Sequence, residues 1–244
     1  MLNYRHKIYK HYSSNRIDRL APETIAGFRP RESYLKKLIK DYFPKDKNIK
    51  ILEIGCGHGT LQYYIAQAGY VNSIGIDASE EQVKEAHRLG IKNVIFADLA
   101  EYINMVEDNS IDLLIAFDVI EHFTKDELSG LVDEFYRIVK KGGRIIIHTP
   151  NGESPFSGSI RYGDFTHELA FTRQSIAQLF LSSGFSDVKS NEDKPIIHGL
   201  KSLIRYLLWE YLIRKFYWFL VIVETGGCDK EAIFTQNFLT VVRK

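Results

Sequence analysis

Residues 51–59 read ILEIGCGHG, a short apolar run that ends in three closely spaced glycines, Gly55, Gly57 and Gly59. An apolar run of this length that leads into glycines predicts a buried strand. Glycines let the chain turn sharply after a strand and let the backbone approach a ligand closely. The stretch therefore predicts the first strand of an α/β domain and a ligand-binding turn, although glycines alone do not identify the ligand.

Outward from this turn, patterns typical of strands and helices alternate along the chain. Helices are predicted at 61–68, 80–89, 125–139 and 172–183, and strands at 73–76, 93–97, 111–117, 143–148, 185–189 and 238–242. This alternation predicts βαβ crossovers and a mainly parallel, doubly wound sheet with helices on both faces. Residues 151–168 are rich in Gly, Ser and Pro and predict a long loop after a strand.

The chain ahead of the first strand is polar, aromatic and basic. We predict a loose arm up to Pro30 and a helix after it, and we divide the chain into an arm and helix at 1–45 and an α/β domain at 46–244. A helical insertion is expected in that domain at about 195–230. Tyr12 is the arm residue expected to close over a ligand at the glycine turn, and Arg16 lies in the same stretch.

The composition is that of an ordinary globular protein, with 45% hydrophobic residues, 26% charged residues and a formal net charge of +1 over 244 residues. This balance does not indicate a nucleic-acid partner. Cys56 and Cys228 show neither metal-ligand spacing nor a disulfide framework, which favours a reducing cytoplasm. The N-terminus lacks the apolar core of a signal peptide, and charged residues interrupt the apolar segment 199–223, so no membrane-spanning segment is predicted.

Acidic residues mark the ends of the first three predicted strands. Glu53 lies just before the glycines, Asp77 ends the second strand, and Asp98 ends the third. An acid in the position of Asp77 can accept both hydroxyls of a ribose. Asp98 could accept from an adenine amino group, with Leu99 and Ala78 packed on the ring. The strand ends therefore predict an adenosine pocket, although each acid could instead cap a helix.

The glycine spacing separates two kinds of adenosine ligand. A dinucleotide-binding loop has the pattern G-x-G-x-x-G, but here the third glycine comes one position early and Thr60 occupies the later place. The absence of that pyrophosphate loop, together with the acid upstream of the glycines, favours a ligand without phosphate.

These motifs resemble the class I S-adenosylmethionine-dependent methyltransferases. The stretches ILEIGCGHGT, IGIDASEEQV, VIFADLAEY, DLLIAFDVIEHF, LVDEFYRIVKKGGRIIIHTPN and SGFSDV follow the order of that family from about residue 50 to residue 188. The resemblance implies a Rossmann-like seven-stranded sheet in the order 3-2-1-4-5-7-6, with the last strand antiparallel and the helical insertion between strands 6 and 7. It also implies S-adenosyl-L-methionine as the cofactor.

The resemblance assigns roles to individual residues. Asp77 would bind the ribose, Asp98 and Leu99 the adenine, and Phe117 and Asp118 would border the methionine moiety and the mouth of the acceptor site. Glu121 and His122, in the run EHF, could have a chemical role or a structural one. The methionine moiety would be lined by the glycine-turn group Glu53, Gly55, Cys56 and Gly57.

Transfer of a methyl group to a hydroxyl requires alignment and a base. His167, in the long loop, is the predicted base, with Asp164 or Glu168 as its orienting partner, and Asp118 and Glu121 are further catalytic candidates. His167 could instead pin the loop. A metal held by Asp118, Glu121 and His167 was the alternative, but their spacing matches no metal motif and no metal is expected.

The segment 198–223 is apolar, aromatic and basic, and is expected to cover the acceptor pocket, a second copy of the chain or a membrane surface. Its composition is similar to methyltransferases of bacterial surface-glycan pathways. We therefore predict a cytoplasmic enzyme, which could associate with the inner face of the membrane, that O-methylates a sugar, a nucleotide-sugar or a related capsule or O-antigen precursor. The alternatives are a quinone or lipid-like acceptor, and a noncatalytic cofactor-binding partner of an active methyltransferase.

Overall fold

The computed structural model describes residues 3–12, 14 and 21–244, so Arg16 of the arm lies outside the described residues. Strands alternate with helices through most of this range. The α-helices are α1 (Asn3–Tyr9), α2 (Arg29–Tyr42), α3 (Thr60–Gln67), α4 (Glu80–Arg88), α5 (Leu99–Met105), α6 (Lys125–Ile138), α7 (Ser157–Arg161), α8 (Arg173–Ser182), α9 (Leu200–Leu208) and α10 (Arg214–Thr225). The strands are β1 (Ile51–Ile54), β2 (Ser73–Asp77), β3 (Val94–Phe96), β4 (Ile111–Phe117), β5 (Val139–Pro150), β6 (Asp187–Glu192) and β7 (Asn237–Arg243).

The strands form one seven-stranded sheet in the order β3-β2-β1-β4-β5-β7-β6. The pairs from β3 to β5 are parallel, and β7 runs antiparallel to both β5 and β6. Both the predicted order and the antiparallel last strand are confirmed. Because parallel strands end at the same edge of a sheet, this order brings the residues after β1, β2, β3 and β4 together.

The centre of the sheet is buried on both faces, which explains why β1 and β4 are mostly apolar instead of alternating between apolar and polar residues. Leu114 and Ile54 pack into a core with α6 and α8 on one face, whereas Leu113 and Ile115 pack with α2, α3 and α4 on the other. Side chains of successive strand residues point to opposite faces, so neighbouring residues serve different cores. The three-layer architecture follows from this packing.

Three helices were not predicted. The arm was expected to be loose but contains α1, and the long loop contains α7. After β3, Asp98 caps the seven-residue α5, whose Ile103 is buried. Each of these helices has five to seven residues, too short for a period of 3.6 residues to stand out. Strand β5 also begins at Val139 rather than residue 143, because the chain stays paired through Gly142 and Gly143.

The insertion lies between β6 and β7, as predicted, and forms α9, a π-helical turn at Trp209–Ile213, and α10. Ion pairs of 2.8 Å between Lys194 and Glu210 and 2.9 Å between Arg214 and Glu192 fasten it to the end of β6. Among residues 3–12, 14 and 21–244, no helix is both long and apolar enough to cross a membrane.

Candidate active site

A cavity of about 510 Å³ opens at the carboxyl ends of the parallel strands. Its wall is formed by the glycine turn, the residues after β2, β3 and β4, helices α5 and α6, and the N-terminal arm. This volume is typical of small-molecule and cofactor sites. The sheet order accounts for its position.

The glycine turn after β1 forms one side of the cavity. Gly55 and Gly57 both line it and have φ values of 63° and 55°, in the left-handed region. A Cβ at Gly55 would come within 2.4 Å of Val119 Cγ2, so the turn after β4 leaves no room for a side chain there. A Cβ at Gly57 would meet nothing closer than Gln82 Oε1 at 3.9 Å, so this part of the backbone faces open space.

Asp77 lies at the floor of the cavity, where its carboxylate is held by backbone groups. One oxygen accepts from Gly57 N–H at 2.7 Å and the other from Ser79 N–H at 2.8 Å. Burial raises the pKa of Asp77, and these two hydrogen bonds oppose that change. Ser79 also lines the cavity, and its Oγ is a buried polar atom without a partner among the described residues. The floor therefore offers hydrogen-bonding groups to a polar ligand.

The third strand end contributes Asp98 and Leu99, and the second contributes Ala78; all three line the cavity. Asp98 Oδ1 accepts from Ala100 N–H at 2.9 Å and Glu101 N–H at 3.2 Å, which caps α5. The helix-cap alternative is therefore correct for this residue. Capping uses only Oδ1, so it leaves Oδ2 for a ligand, and the adenine role stays a prediction.

Three of the predicted cofactor residues lie behind the cavity wall. Glu53 is buried, accepts from Gln62 Nε2 at 2.7 Å, and has its pKa raised by burial to about 8. Cys56 is buried beneath the glycine turn. Phe117 stacks on the ring of His148 at a centroid distance of 4.2 Å. Their geometry favours support of the turn and of the residues after β4 rather than direct contact with a ligand.

Asp118 reaches the cavity directly after β4 and has an unusual backbone. Its φ of 57° is in the left-handed region, which costs energy for a residue with a side chain and is common at functional sites. His148 Nδ1, at the end of β5, lies 2.5 Å from Asp118 Oδ1, and its Nε2 lies 3.3 Å from Asp193 Oδ2. These contacts form a carboxylate–imidazole–carboxylate row.

The charges of this row reinforce one another. Burial would lower the pKa of His148, but Asp118 and then Asp193 raise it to about 10. Burial would raise the pKa of Asp118, but the charge and the hydrogen bond of His148 hold it below its usual range. His148 and Asp193 were not predicted as site residues. The only signal was that His148 ends the strand predicted at 143–148, at the same sheet edge as Asp118.

Glu121 and His122 form part of a buried 3-10 turn, Ile120–His122, after β4. Glu121 Oε2 accepts from Thr149 Oγ1 at 3.2 Å, whereas its Oε1 is buried without a partner among the described residues. Burial, followed by the charge of Asp118, raises the pKa of Glu121 to about 8. His122 lines the cavity, but Glu121 does not.

His167 lies against His122, with ring centroids 4.7 Å apart, and is not itself in the cavity wall. Its Nδ1 lies 3.1 Å from the carbonyl oxygen of Arg161. The carbonyl oxygen of Arg161, and not the predicted carboxylate of Asp164 or Glu168, is therefore the partner of His167 Nδ1; Asp164 accepts from Thr166, and Glu168 accepts from Tyr4. Proximity along the chain therefore did not predict the hydrogen-bond partner of His167 within this loop.

Asp164 instead acts on His122 through a hydroxyl group. Thr166 Oγ1 donates to Asp164 Oδ1 at 2.6 Å and lies 2.8 Å from His122 Nδ1. Burial would raise the pKa of Asp164, but the Thr166 hydrogen bonds lower it to about 2. Burial, together with the charge of His167, lowers the pKa of His122 to about 4, so His122 is neutral at physiological pH.

The N-terminal arm completes the cavity. Arg5, Tyr9 and Tyr12 line it, Arg5 pairs with Glu127 of α6, and Tyr12 Oη donates to Asp164 Oδ2 at 2.8 Å. The arm therefore connects α6 to the long loop across the opening. This geometry agrees with the predicted lid position of Tyr12.

The residues present fit the adenosine and methionine portions of S-adenosylmethionine: an open glycine turn, a backbone-held acid after β2 and an unpartnered hydroxyl on Ser79. With the strand order, they define the class I S-adenosylmethionine-dependent methyltransferase fold. A family model for a methyltransferase domain matches residues 27–190, and the chain belongs to that family. The predicted class and its cofactor are confirmed.

Relatives of known activity use different acceptors. Phosphoethanolamine N-methyltransferase 3 of Arabidopsis thaliana is 28% identical over 145 residues, which are 57% of this chain and 29% of the relative. Ubiquinone biosynthesis O-methyltransferase of Pelagibacter ubique is 30% identical over 136 residues, 52% of this chain and 55% of the relative. The chain therefore spans less than a third of the length of the first relative and about half of the length of the second.

Solved structures agree on the fold. A SAM-dependent methyltransferase from Archaeoglobus fulgidus has 25% sequence identity and a TM-score of 0.66, with 89% of this chain and 96% of the other covered. Phosphoethanolamine N-methyltransferase 2 of Haemonchus contortus, in complex with S-adenosyl-L-methionine, has 18% identity and a TM-score of 0.62. The match covers 96% of this chain and 60% of the other. At this identity, the second likeness supports the fold alone.

Proposed function

We propose that the protein transfers a methyl group from S-adenosylmethionine to a hydroxyl group of a small-molecule acceptor. The observation that carries this proposal is the single cavity wall in which the glycine turn and Asp77 stand beside the acidic and imidazole groups after β4. The first set matches a cofactor, and the second supplies polar contacts for an acceptor. The bound cofactor supplies the electrophilic methyl group.

Asp118 is the residue that we assign to the acceptor. It is the cavity carboxylate held by an imidazolium, because His148 is cationic below pH 10 and lies 2.5 Å away. The side chain of Asp118 is 48% exposed, whereas that of His148 is 6% exposed, so a buried cation fixes a carboxylate that an entering hydroxyl can reach. Asp118 would accept a hydrogen bond from that hydroxyl and align it for in-line attack.

A sugar, a nucleotide-sugar or a related precursor of a bacterial surface polysaccharide is our first acceptor class. Its support is the set of polar groups after β4 and in the arm, since Tyr9, Asp118 and His122 all line the cavity. Polyhydroxylated ligands need several such partners, because every buried hydroxyl left unpaired costs affinity.

A quinone or another lipid-like phenol is the second candidate. Much of the wall between α5 and α6 is apolar, including Leu99, Ile103 and Leu131. Two relatives, from Pelagibacter ubique and Candida albicans, are ubiquinone biosynthesis O-methyltransferases. A phenol ring could use this apolar wall and place one hydroxyl at Asp118.

The first experiment is calorimetric titration of the full chain with S-adenosylhomocysteine and separately with NAD. Binding of the first alone supports the cofactor assignment. Release of S-adenosylhomocysteine from S-adenosylmethionine is then measured with a panel of nucleotide-sugars, free sugars and catechol-type phenols. Turnover with sugars and not phenols supports the first candidate, and the reverse result supports the second. Cofactor binding without turnover on any member would favour the noncatalytic alternative.

We propose further that the insertion binds an anionic lipid surface at the inner face of the membrane. Its helices expose apolar side chains along their whole length, with the exposed cations Lys201, Arg205 and Lys215 among them. Apolar and aromatic residues next to lysine and arginine are typical of interfacial helices. Among the described residues, none of the insertion lines the cofactor cavity, although Tyr206 borders a second cavity of about 440 Å³ beside α2.

Co-sedimentation with phosphatidylglycerol vesicles tests this surface. We expect binding to weaken at least tenfold in the variant Leu208→Glu/Phe219→Glu, whereas Leu181→Glu, at a side chain of similar exposure on α8, should bind like the wild type. Phosphatidylcholine vesicles should bind more weakly than anionic ones. A concentration-dependent dimer that both insertion substitutions dissociate, without vesicle binding, would favour a second copy as the occupant.

A further inference from the structure

Three potential metal ligands meet beside the cofactor cavity. Glu121, His122 and His167 each offer a ligand atom, and these atoms all lie within 4.8 Å of one another. Glu121 and His122 lie in the turn after β4, whereas His167 comes from the long loop after β5. The fold therefore brings together groups that are 45 and 46 residues apart in the chain.

The hydrogen bonds leave a free nitrogen on each imidazole. The proton of Thr166 Oγ1 goes to Asp164 Oδ1 at 2.6 Å, so Thr166 Oγ1 accepts from His122 Nδ1 at 2.8 Å. The carbonyl oxygen of Arg161 can only accept, so His167 Nδ1, at 3.1 Å, is also the protonated nitrogen. In the neutral form of each ring, Nε2 then carries the lone pair that a metal requires.

These partners have the form of the outer contacts of a metal site. Histidines that bind metals usually donate their second ring N–H to a carboxylate, a backbone carbonyl or water, which fixes the tautomer. The carbonyl of Arg161 does this for His167, and the Thr166–Asp164 pair does it for His122.

Glu121 supplies an independent sign that a cation belongs here. Its side chain is fully buried, and Oε1 has no hydrogen-bond partner among the described residues. A buried carboxylate oxygen without a partner is costly, and a bound cation would remove that cost. Thr149 fixes the other oxygen, which leaves Oε1 for an ion.

We propose that Glu121, His122 and His167 form a site for one divalent first-row transition cation, of which Mn²⁺, Co²⁺ and Zn²⁺ are the test ions. Two imidazoles and a carboxylate suit these ions. Ligand atoms lie about 2.0–2.2 Å from such an ion. Two ligand atoms on the same ion are therefore at most about 4.4 Å apart. The three candidate atoms lie within 4.8 Å of one another, so small side-chain rotations would bring them to that separation.

The site has a chemical consequence that rests on the proposed function. Asp118 already pairs with His148 at 2.5 Å, so its carboxylate is a poor base for the acceptor hydroxyl. His122 also lines the cavity, so an ion beside it would have coordination positions open to an acceptor oxygen. A metal-bound hydroxyl loses its proton more readily.

The test uses metal alone, without cofactor or acceptor. The purified full chain is dialysed against a chelator and titrated calorimetrically with Mn²⁺, Co²⁺ and Zn²⁺ in turn. We expect one equivalent to bind and the affinity to fall at least tenfold in Glu121→Gln, His122→Gln and His167→Gln. His198→Gln, at an exposed histidine of the insertion, should leave the affinity unchanged.

Two controls keep the outcome decisive. The S-adenosylhomocysteine affinity and the melting temperature of each variant show whether it is folded, and His167→Gln decides if a substitution at the buried Glu121 unfolds the chain. The proposal is overturned if the wild type binds none of the three ions, if the cluster variants bind as tightly as the wild type, or if His198→Gln removes the binding. Because no methyl transfer is measured, failure here is distinct from failure of the proposed function.

Discussion

The two halves of the cavity hold their polar groups in different ways. After β1, β2 and β3, carboxylates accept from backbone N–H groups: Asp77 from Gly57 and Ser79, and Asp98 from Ala100 and Glu101. After β4 and β5, titratable side chains hold one another, as in the row from Asp118 through His148 to Asp193.

This difference separates binding from chemistry. Backbone donors have fixed positions and do not titrate, so the carboxylates of the first half are held by partners whose charge does not depend on pH. In the second half, the protonation state of one group sets that of the next, since His148 and Asp118 shift each other's pKa. We therefore expect substitutions in the first half to lower cofactor affinity, and those in the second half to lower turnover or change its pH dependence.

The largest expected effect is on turnover in Asp118→Asn. Loss of the carboxylate removes the acceptor contact and the partner of His148, and we expect kcat to fall by about a hundredfold. The affinity for S-adenosylhomocysteine should change less than threefold. Asp126→Asn, on the exposed surface of α6, is the matched control. Equal losses of turnover and cofactor affinity would contradict the division into two halves.

The next effect is on cofactor affinity in Asp77→Ala. A hydrogen bond to a charged group contributes about 1.5–3 kcal/mol, so we expect the Kd for S-adenosylhomocysteine to rise about tenfold to a hundredfold. Asp133→Ala, at an exposed acid of α6, should leave the Kd unchanged. An unaltered Kd in a folded Asp77→Ala variant would remove the ribose role from this residue.

A smaller effect is expected in the arm. Tyr12→Phe removes the hydroxyl that donates to Asp164. This hydrogen bond holds the arm and not the cofactor itself, so only part of its free energy of about 1.5–3 kcal/mol should reach cofactor binding, and we expect a rise of about threefold to tenfold in the same Kd. Tyr162→Phe, at a side chain that is 77% exposed, is the control. A change equal to that of the control would show that the arm does not hold the cofactor.

The smallest effect concerns the dependence of stability on pH. The pKa of His148 is raised to about 10 in the folded protein, so its stabilisation is complete below its unfolded pKa of about 6.5 and is lost as the pH rises to 10. With Asp118 half exposed, we expect His148→Gln to lower the melting temperature by about 3–6 °C at pH 7. The difference in melting temperature between this variant and the wild type should disappear between pH 7 and 10. A constant difference would contradict the carboxylate–imidazole–carboxylate row.

The local pattern predicted the alternation of strands and helices and the cavity residues Gly55, Gly57 and Asp77, because parallel strands end at the same edge of a sheet. The sheet order was predicted from the resemblance to class I methyltransferases. The sequence did not predict the row through His148, because Asp193 follows the separate strand β6 and nothing in the local pattern links the two. The partners of His167 were also missed, since hydrogen bonds inside a long loop depend on its path. Roles for Glu53 and Cys56 stay predictions that the buried geometry does not favour as direct contacts.

The crowding between Gly55 and Val119 couples two turns that are 64 positions apart in the chain. Mutations at these sites should be epistatic: a side chain at 55 overlaps Val119, so Gly55→Ala should be less harmful in a chain that also carries Val119→Ala. The rescue can only be partial, because the φ of 63° penalises any residue other than glycine. Evolutionary drift at the cofactor turn is therefore limited by the turn that carries the acceptor residues, and the two halves of the cavity cannot diversify independently.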